Sequence, residues 1–267
     1  MNLNEKVVVV TGAGNGMGRE LTLQLVKKGA KVAAVDMRAE SLIETKNLAN
    51  QLGGVVETFI LDISDATKVL DLPNQVAAKL GEADVLINNA GIIQPFVKIN
   101  ELTLEQADKV MTVNFTGPLM LTKAFLPGLL KKSQAHILNV SSMGAYAPVP
   151  GQSVYGASKA AIKLLTEGLR SELIDTKIGV TIVFPGAIET NIAANSGLAN
   201  INIDESQTSK IKMTPAPVAA ALMIEAIEKN KPRITIGKDA KTMDFLTRLN
   251  PIYAAKLIYK QMSSLLK

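Results

Sequence analysis

The sequence predicts an α/β protein: a doubly wound parallel sheet of about seven strands, with helices on both faces. Three observations carry this expectation. Short runs rich in Val and Ile alternate with longer amphipathic segments, the pattern of parallel strands joined by right-handed helical crossovers. The first run, VVVVTG, passes at once into a glycine-rich turn and then into the helical segment RELTLQLVKKG. The chain of 267 residues has the length of one such domain. Residues 1–240 are expected to form it, and 241–267 a C-terminal amphipathic helical extension of the same unit.

Composition excludes several function classes. Apolar residues make up 47% and charged residues 20%, which suits a globular core and not a disordered chain. There is no cysteine, so disulfides, thiol catalysis and Cys-ligated zinc are excluded. That fits a reducing compartment, and a cytoplasmic location is expected. His136 is the single histidine and cannot build a histidine metal site. It opens an apolar strand, where a packed role is expected, and no metal is. The net charge is +5, but Lys and Arg are spread without a block of about five or six, so nucleic acid is not an expected partner. No apolar run reaches the ~18 residues of a membrane span. The N-terminus runs directly into VVVVTG and reads as a first strand, without the features of a signal peptide.

Taken in order, Lys6 to Val10 is a β-branched run fit for a central strand buried on both faces. Gly12, Gly16 and Gly18 then let the backbone turn tightly and approach a pyrophosphate, with Asn15 and Met17 between them. The next helix offers it free N–H groups and the positive end of a dipole. Lys31 to Val35 is the second strand and ends at Asp36. A carboxylate there accepts hydrogen bonds from both ribose hydroxyls of NAD and repels the 2′-phosphate of NADP. As the bland alternative, Asp36 would cap the helix AESLIETKNLANQLGG. Val55 to Leu61 is the third strand, followed by Asp62-Ile63 and a helix from about Asp65. Ala83 to Ile87 is the fourth, with Asn88-Asn89-Ala90-Gly91 at its carboxyl edge. Leu102 to Lys131 reads as an interrupted helix pair carrying Asn114, where a hydrogen-bonded kink would sit, and Gly117-Pro118 just beyond it supports a local break. His136 to Val140 is the fifth strand and delivers Ser141 and Ser142.

Tyr155 and Lys159 lie one turn apart on the helical run YGASKAAIKLLTEGL. An ammonium beside a phenol stabilises the phenolate and lowers its pKa from about 10, which makes an acid–base group near neutral pH. Alone, such a pair is commonplace on a helix. Gly179 to Phe184 is the sixth strand, leading into Pro185-Gly186-Ala187-Ile188-Glu189-Thr190. Asn191 to Met213 is polar and weakly periodic, and a segment of this length is expected to be a substrate lid, spanning about 190–213. Pro215 to Lys229 is an amphipathic helix and Arg233 to Ile236 a last strand. Leu249 to Lys267 reads as one amphipathic helix with a basic face. It would cover the substrate cleft, pack on a partner subunit, or make peripheral contact with an anionic membrane; apolar stripes are usually buried against protein.

The glycine turn, NNAG, the isolated Asn114, Ser142 and Tyr155-x-x-x-Lys159, in that order, resemble the short-chain dehydrogenase/reductase family in its compact single-domain, Rossmann-type form. The resemblance covers roughly residues 5 to 240. It implies an oxidoreductase with NAD or, less favoured, NADP, acting on a small-molecule alcohol or ketone. It further implies Asp62 and Ile63 at the adenine, and Asn89, Ala90 and Gly91 lining the ribose. The turn from Pro185 and Gly186 would set the Ile188 amide and the Thr190 hydroxyl on the nicotinamide carboxamide. Asn114, Ser142, Tyr155 and Lys159 would be catalytic, with Ser142 chosen over Ser141 by its spacing from Tyr155. Asn114 would hold a water relay, and Tyr155 and Lys159 would also contact the cofactor. The family's pattern places a basic residue at Asn15 or Met37 where NADP is preferred; both are neutral here, though Arg19 and Arg38 stand near. The pocket walls expected are Met143, Ala145, Tyr146, Pro148, Val149, Ile93 and Ile188, all uncharged, which suits an apolar or lipid-like substrate. Two alternatives stay open: an NADPH-dependent carbonyl or 3-oxoacyl reductase, and a non-catalytic dinucleotide-binding protein. A homo-oligomer, dimer or tetramer, is implied through the helices carrying Asn114 and Tyr155.

Overall fold

A computed structural model of the chain describes residues 1–196, 213–263 and 266. Its centre is β1, Val7–Thr11, in which every residue is buried. β1 pairs in parallel with β2, Lys31–Asp36, on one side and β4, Val85–Asn88, on the other. β3 is Val55–Ile60, β5 Ala135–Val140 and β6 Ile178–Pro185. A two-residue pair, β7 (Ile188–Glu189) and β8 (Thr214–Pro215), closes the base of the segment expected as a lid. β9 is Arg233–Ile236, and the large sheet runs β3-β2-β1-β4-β5-β6-β9. Winding proceeds outward from β1 to β3, then returns to β4 and proceeds the other way. That reversal opens a crevice beyond the carboxyl ends of β1 and β4, where such sheets bind ligands.

Alternation along the strands builds a core on each face of the sheet. Val8 and Val10 pack with Leu21 and Leu25 of α1 (Gly16–Lys27) and with Met223 and Ile224 of a late helix, Ala216–Glu228. Val7 and Val9 pack with Leu72 of the helix Ala66–Leu80 and with Leu121 and Phe125 of the helix Gly117–Leu129. The doubly wound expectation is met.

Two local expectations gain detail. The helix pair is interrupted at Asn114: Leu104–Met111 passes into a π turn, Thr112–Thr116, centred on that residue and ending just before Gly117-Pro118. Pro118 causes no break, because it sits in the first turn of the next helix, where its missing N–H is not needed. The tail helix expected within Leu249 to Lys267 is Pro251–Met262, and a helix not read from the sequence, Lys238–Leu249, precedes it as the first of a pair. Asn250 caps the second, accepting from Tyr253 N at 2.9 Å, and Pro251 fixes its first position. Most of the expected lid, including Leu198 and Ile201, lies outside the described residues.

His136 is the packed strand residue expected, 2% exposed, with Nε2 2.8 Å from the Thr181 hydroxyl. Burial, aided by the positive N-terminus, lowers its pKa from 6.5 to about 4. Between the strands, Asn88 Nδ2 donates to Asn139 Oδ1 at 2.8 Å, and Asn139 Nδ2 donates to Thr166 Oγ1 at 2.9 Å. This buried chain ties β4 to β5 and β5 to the helix Ser153–Glu172. Asn139→Ala removes the middle link and strips both neighbours of a partner. The expected loss is about 2–4 kcal/mol, read as a lower urea midpoint at unchanged slope; an unchanged midpoint would show that the chain carries no load.

Candidate active site

The site is built where the winding reverses. Gly12 and Gly16 adopt φ of 69° and 50°, left-handed values that glycine alone takes without strain. A β-carbon on Gly18 would collide with the Gly12 carbonyl, so the bare backbone lets α1 close on the turn. Asn15 caps α1, its Oδ1 accepting from Gly16 N at 2.5 Å. Asp36 is 7% exposed at the end of β2. Its Oδ2 accepts from Gly14 N at 3.0 Å and its Oδ1 from Arg38 N at 3.1 Å. Asp36 is not the helix cap: Arg38 holds that position for the helix Ala39–Gln51. Arg19 donates to the Gly14 carbonyl at 2.7 Å and pairs with Glu44 at 2.6 Å. Arg38 Nε lies 3.5 Å from Asp36 Oδ1.

A cavity of 730 Å³ follows this edge of the sheet. Gly12, Asn15, Gly16 and Met17 line it, as do Asp36, Asp62, Ile63, Asn89, Ala90, Gly91 and Thr190. Asn89 Nδ2 donates to Thr11 O at 2.9 Å, which fixes the amide, and its Oδ1 is buried without a partner. A glycine cradle, a buried carboxylate at the end of β2 and an unused acceptor together fit the pyrophosphate and ribose hydroxyls of a dinucleotide. Gly18, Tyr155, Lys159, Pro185, Gly186 and Ile188 do not line the cavity. Gly186 N is engaged by Ile236 O at 2.8 Å, and the Ile188 side chain packs against the core. Glu105, Asp108, Lys109 and Thr112 also line it; their i, i+3, i+4, i+7 spacing was the available signal, and it reads as an ordinary solvated helix face.

Asn114, Ser142, Tyr155 and Lys159 are brought together beside this cavity. A β-carbon on Gly91 would sit 3.1 Å from both Asn114 Oδ1 and Lys159 Nζ. Asn114 is buried; its Oδ1 accepts from Ile92 N and its Nδ2 donates to Ile92 O, both at 2.9 Å. Nδ2 also donates to Ser158 Oγ at 3.0 Å. Ser142 Oγ accepts from Gly144 N at 3.0 Å. Ser141 is the structural neighbour, donating to Lys159 O at 2.7 Å. The lowered tyrosine pKa expected from the sequence is corrected: burial raises it above its ordinary 10, and the bond to Ser142 pulls it only partly back. Lys159 Nζ lies 5.9 Å from the Tyr155 ring centroid and donates to Val140 O at 3.1 Å. Burial lowers the Lys159 pKa from 10.5 to about 8.

Sequence reasoning missed Gln94. It is 1% exposed, and its Oε1 accepts from Val154 N at 2.8 Å and Tyr155 N at 2.9 Å. It thereby caps the helix Ser153–Glu172, whose own N-cap residue, Gln152, makes no capping side-chain bond. No local pattern announces a cap supplied from 60 positions away.

On the other side of Tyr155 is a cavity of 460 Å³. Ala145, Tyr146, Pro148 and Val149 line it as expected; Met143, Ile93 and Ile188 do not. The tail helices supply Thr247 and Pro251, and among the described residues no charged side chain takes part. Gln152 Oε1 and Thr247 Oγ1, from two residues of this wall, are buried without partners among the described residues. Tyr146 donates to Ala240 O at 2.9 Å, and burial raises its pKa, so it is a wall and not a base.

The short chain dehydrogenase family matches residues 6–200, and the chain belongs to that family. It is an oxidoreductase, as its relatives are. The oxidoreductase SadH of Mycobacterium tuberculosis is 34% identical over 252 residues, covering 91% of this chain and 90% of SadH. A short chain dehydrogenase of Burkholderia cenocepacia, solved with NADP, superposes at a TM-score of 0.80 with 26% identity, covering 97% of this chain and 99% of that one. One from Burkholderia phymatum, solved with NAD, gives a TM-score of 0.82 over 100% of this chain and 97% of that one; at 24% identity the likeness is one of fold.

The buried lysine carries a stability cost with a defined pH window. Between about pH 8 and 10.5 the unfolded chain holds more protons at Lys159 than the folded chain, so this group's contribution to stability rises with pH across that window. Lys159→Met is therefore expected to raise the unfolding midpoint at pH 7, with the gain shrinking toward pH 10.5. A midpoint lowered at every pH would mean that the bond to Val140 outweighs the buried charge.

Proposed function

We propose that the protein transfers hydride reversibly between a nicotinamide dinucleotide, NAD in preference to NADP, and a secondary alcohol or ketone with a largely apolar body. One observation carries this: the cluster of Asn114, Ser142, Tyr155 and Lys159 stands between two cavities, one edged by the glycine turn and Asp36, the other uncharged and walled by Tyr155 itself. The nicotinamide, when bound, supplies the hydride acceptor or donor. Ser142 hydrogen-bonds the substrate oxygen. Tyr155 gives a proton to that oxygen in reduction and removes it in oxidation. Its raised pKa keeps it protonated and ready as an acid near neutral pH. Acting as a base requires a cation nearby, and Lys159, ionised below about pH 8, is one turn away on the same helix. By likeness to the family, Lys159 also holds the nicotinamide ribose and Asn114 the proton relay.

The preference for NAD rests on Asp36, whose buried carboxylate suits two ribose hydroxyls and repels a phosphate, and on Arg19, which is committed to Gly14 and Glu44. A second reading, an NADPH-dependent carbonyl or 3-oxoacyl reductase, is favoured by Arg38, whose guanidinium stands 3.5 Å from Asp36 at the cavity wall. The uncharged second cavity supports an apolar substrate body, and the unpartnered Gln152 and Thr247 atoms suit a polar group on it.

Thermal shift with NAD+, NADH, NADP+ and NADPH at equal concentration separates the readings. A ligand at about 100 times its Kd stabilises the native state by about 2.7 kcal/mol. The larger response is expected from the NAD pair; a larger response from the NADP pair would replace the first reading by the second. Asp36→Ser is expected to raise the kcat/KM ratio of NADP+ over NAD+ at least about tenfold, or about 1.4 kcal/mol. Tyr155→Phe is expected to keep dinucleotide binding and cut turnover by about 10²–10⁴. Turnover surviving that change would remove Tyr155 from the mechanism.

A further inference from the structure

We propose that the outer face of the two C-terminal helices docks on an anionic lipid surface. Their inner face is already used: Met243, Ala254 and Ile258 pack with Met143, Tyr146 and Val149, behind the wall of the apolar cavity. Their outer face is apolar as well. Phe245, Leu249, Ile252, Tyr253 and Tyr259 are each between 55% and 69% exposed. Phe245 and Leu249 lie one turn apart on the first helix, and Ile252 and Tyr259 two turns apart on the second. Leu249 and Ile252 meet at the Asn250-Pro251 corner. Large aliphatic and aromatic side chains at such exposure have no role inside the fold and mark a surface that meets something else.

Charge decides what that something is. No Asp or Glu follows Asp244, and the last stretch of chain carries Lys256, Lys260 and Lys267, while Arg248 is paired with Asp244 at 3.2 Å. Lys256 and Lys260 are exposed on the same helix face as Tyr253 and Tyr259. A second copy of this face would bring like charges together. A bilayer rich in anionic headgroups attracts them. It also takes the aliphatic tips below the headgroups, holds tyrosine at the boundary, and leaves lysine stems free to reach back to phosphate. No helix among the described residues is long and apolar enough to cross a membrane, so the pair lies on the surface. Thr247 and Pro251, at the same corner, line the uncharged cavity. Docking would therefore set one wall of that cavity beside the acyl layer. The inference does not depend on which cofactor is bound or on the chemistry at Tyr155.

The test is co-sedimentation of the full chain with vesicles of phosphatidylcholine alone and of phosphatidylcholine mixed with phosphatidylserine, over a salt series. The chain is expected to sediment with the phosphatidylserine vesicles and to be released as salt rises. Lys256→Glu with Lys260→Glu is expected to weaken association by at least roughly thirtyfold, and Ile252→Ser to weaken it without changing its salt dependence. An unchanged unfolding midpoint in each variant separates lost docking from lost folding, and the salt series on the unmodified chain stands if a variant does not fold. Equal sedimentation with both vesicle types, or with neither, overturns the proposal. So does a dimer in sedimentation velocity that Ile252→Ser dissociates, which would give the face to a second copy.

Discussion

β1 is hydrogen-bonded on both edges and covered on both faces, and the rest of the molecule is arranged by that fact. A strand with no exposed side accepts only short, β-branched, uncharged residues, and Val7 to Val10 supply them. Because both edges are taken, the chain must wind away to β2 and β3 and come back to β4. The carboxyl ends of β1 and β4 then part, and their loops diverge around a gap that no crossover fills. The glycine turn, Asp36 at the end of β2 and the Asn89 to Gly91 segment after β4 all lie at this one rim.

The fold was legible in the sequence because its signals are local. A valine run, a glycine turn and a capped helix each announce themselves within about ten residues, and the strand order follows from parallel winding. The candidate cluster was legible only through the resemblance, since Tyr155 and Lys159 alone make a commonplace helical pair and Ser142 was chosen over Ser141 by its spacing from Tyr155. What escaped is non-local. Gln94 caps a helix that begins 59 positions later, and nothing around it in the chain hints at that partner. The tyrosine pKa was misread because the i, i+4 spacing fixes which face Lys159 occupies but not where its flexible stem ends; here it ends on the Val140 carbonyl.

The two cavities differ in how they are made, and that difference bears on what each can recognise. The larger is edged chiefly by backbone turns and strand ends, which are fixed by the sheet itself. The smaller is assembled from a loop after β5, the first turns of one long helix and two helices from the end of the chain. Its shape therefore depends on side chains such as Met243 and Ile258 that sit behind its wall, and changes there alter its volume without touching the sheet.

Gln94 also joins the two cavities mechanically. It stands three residues beyond Gly91, which lines the larger one, and Ile92 between them is clamped through both its amide and its carbonyl by Asn114. At its other end the Gln94 side chain grips the backbone of Tyr155. Asn114, the strand-end segment and the start of the tyrosine's helix thus form one stiff linkage, with hydrogen bonds at each joint. A ligand pressing on Gly91 from one side and one pressing on the phenol from the other would load the same short arm of only a few residues.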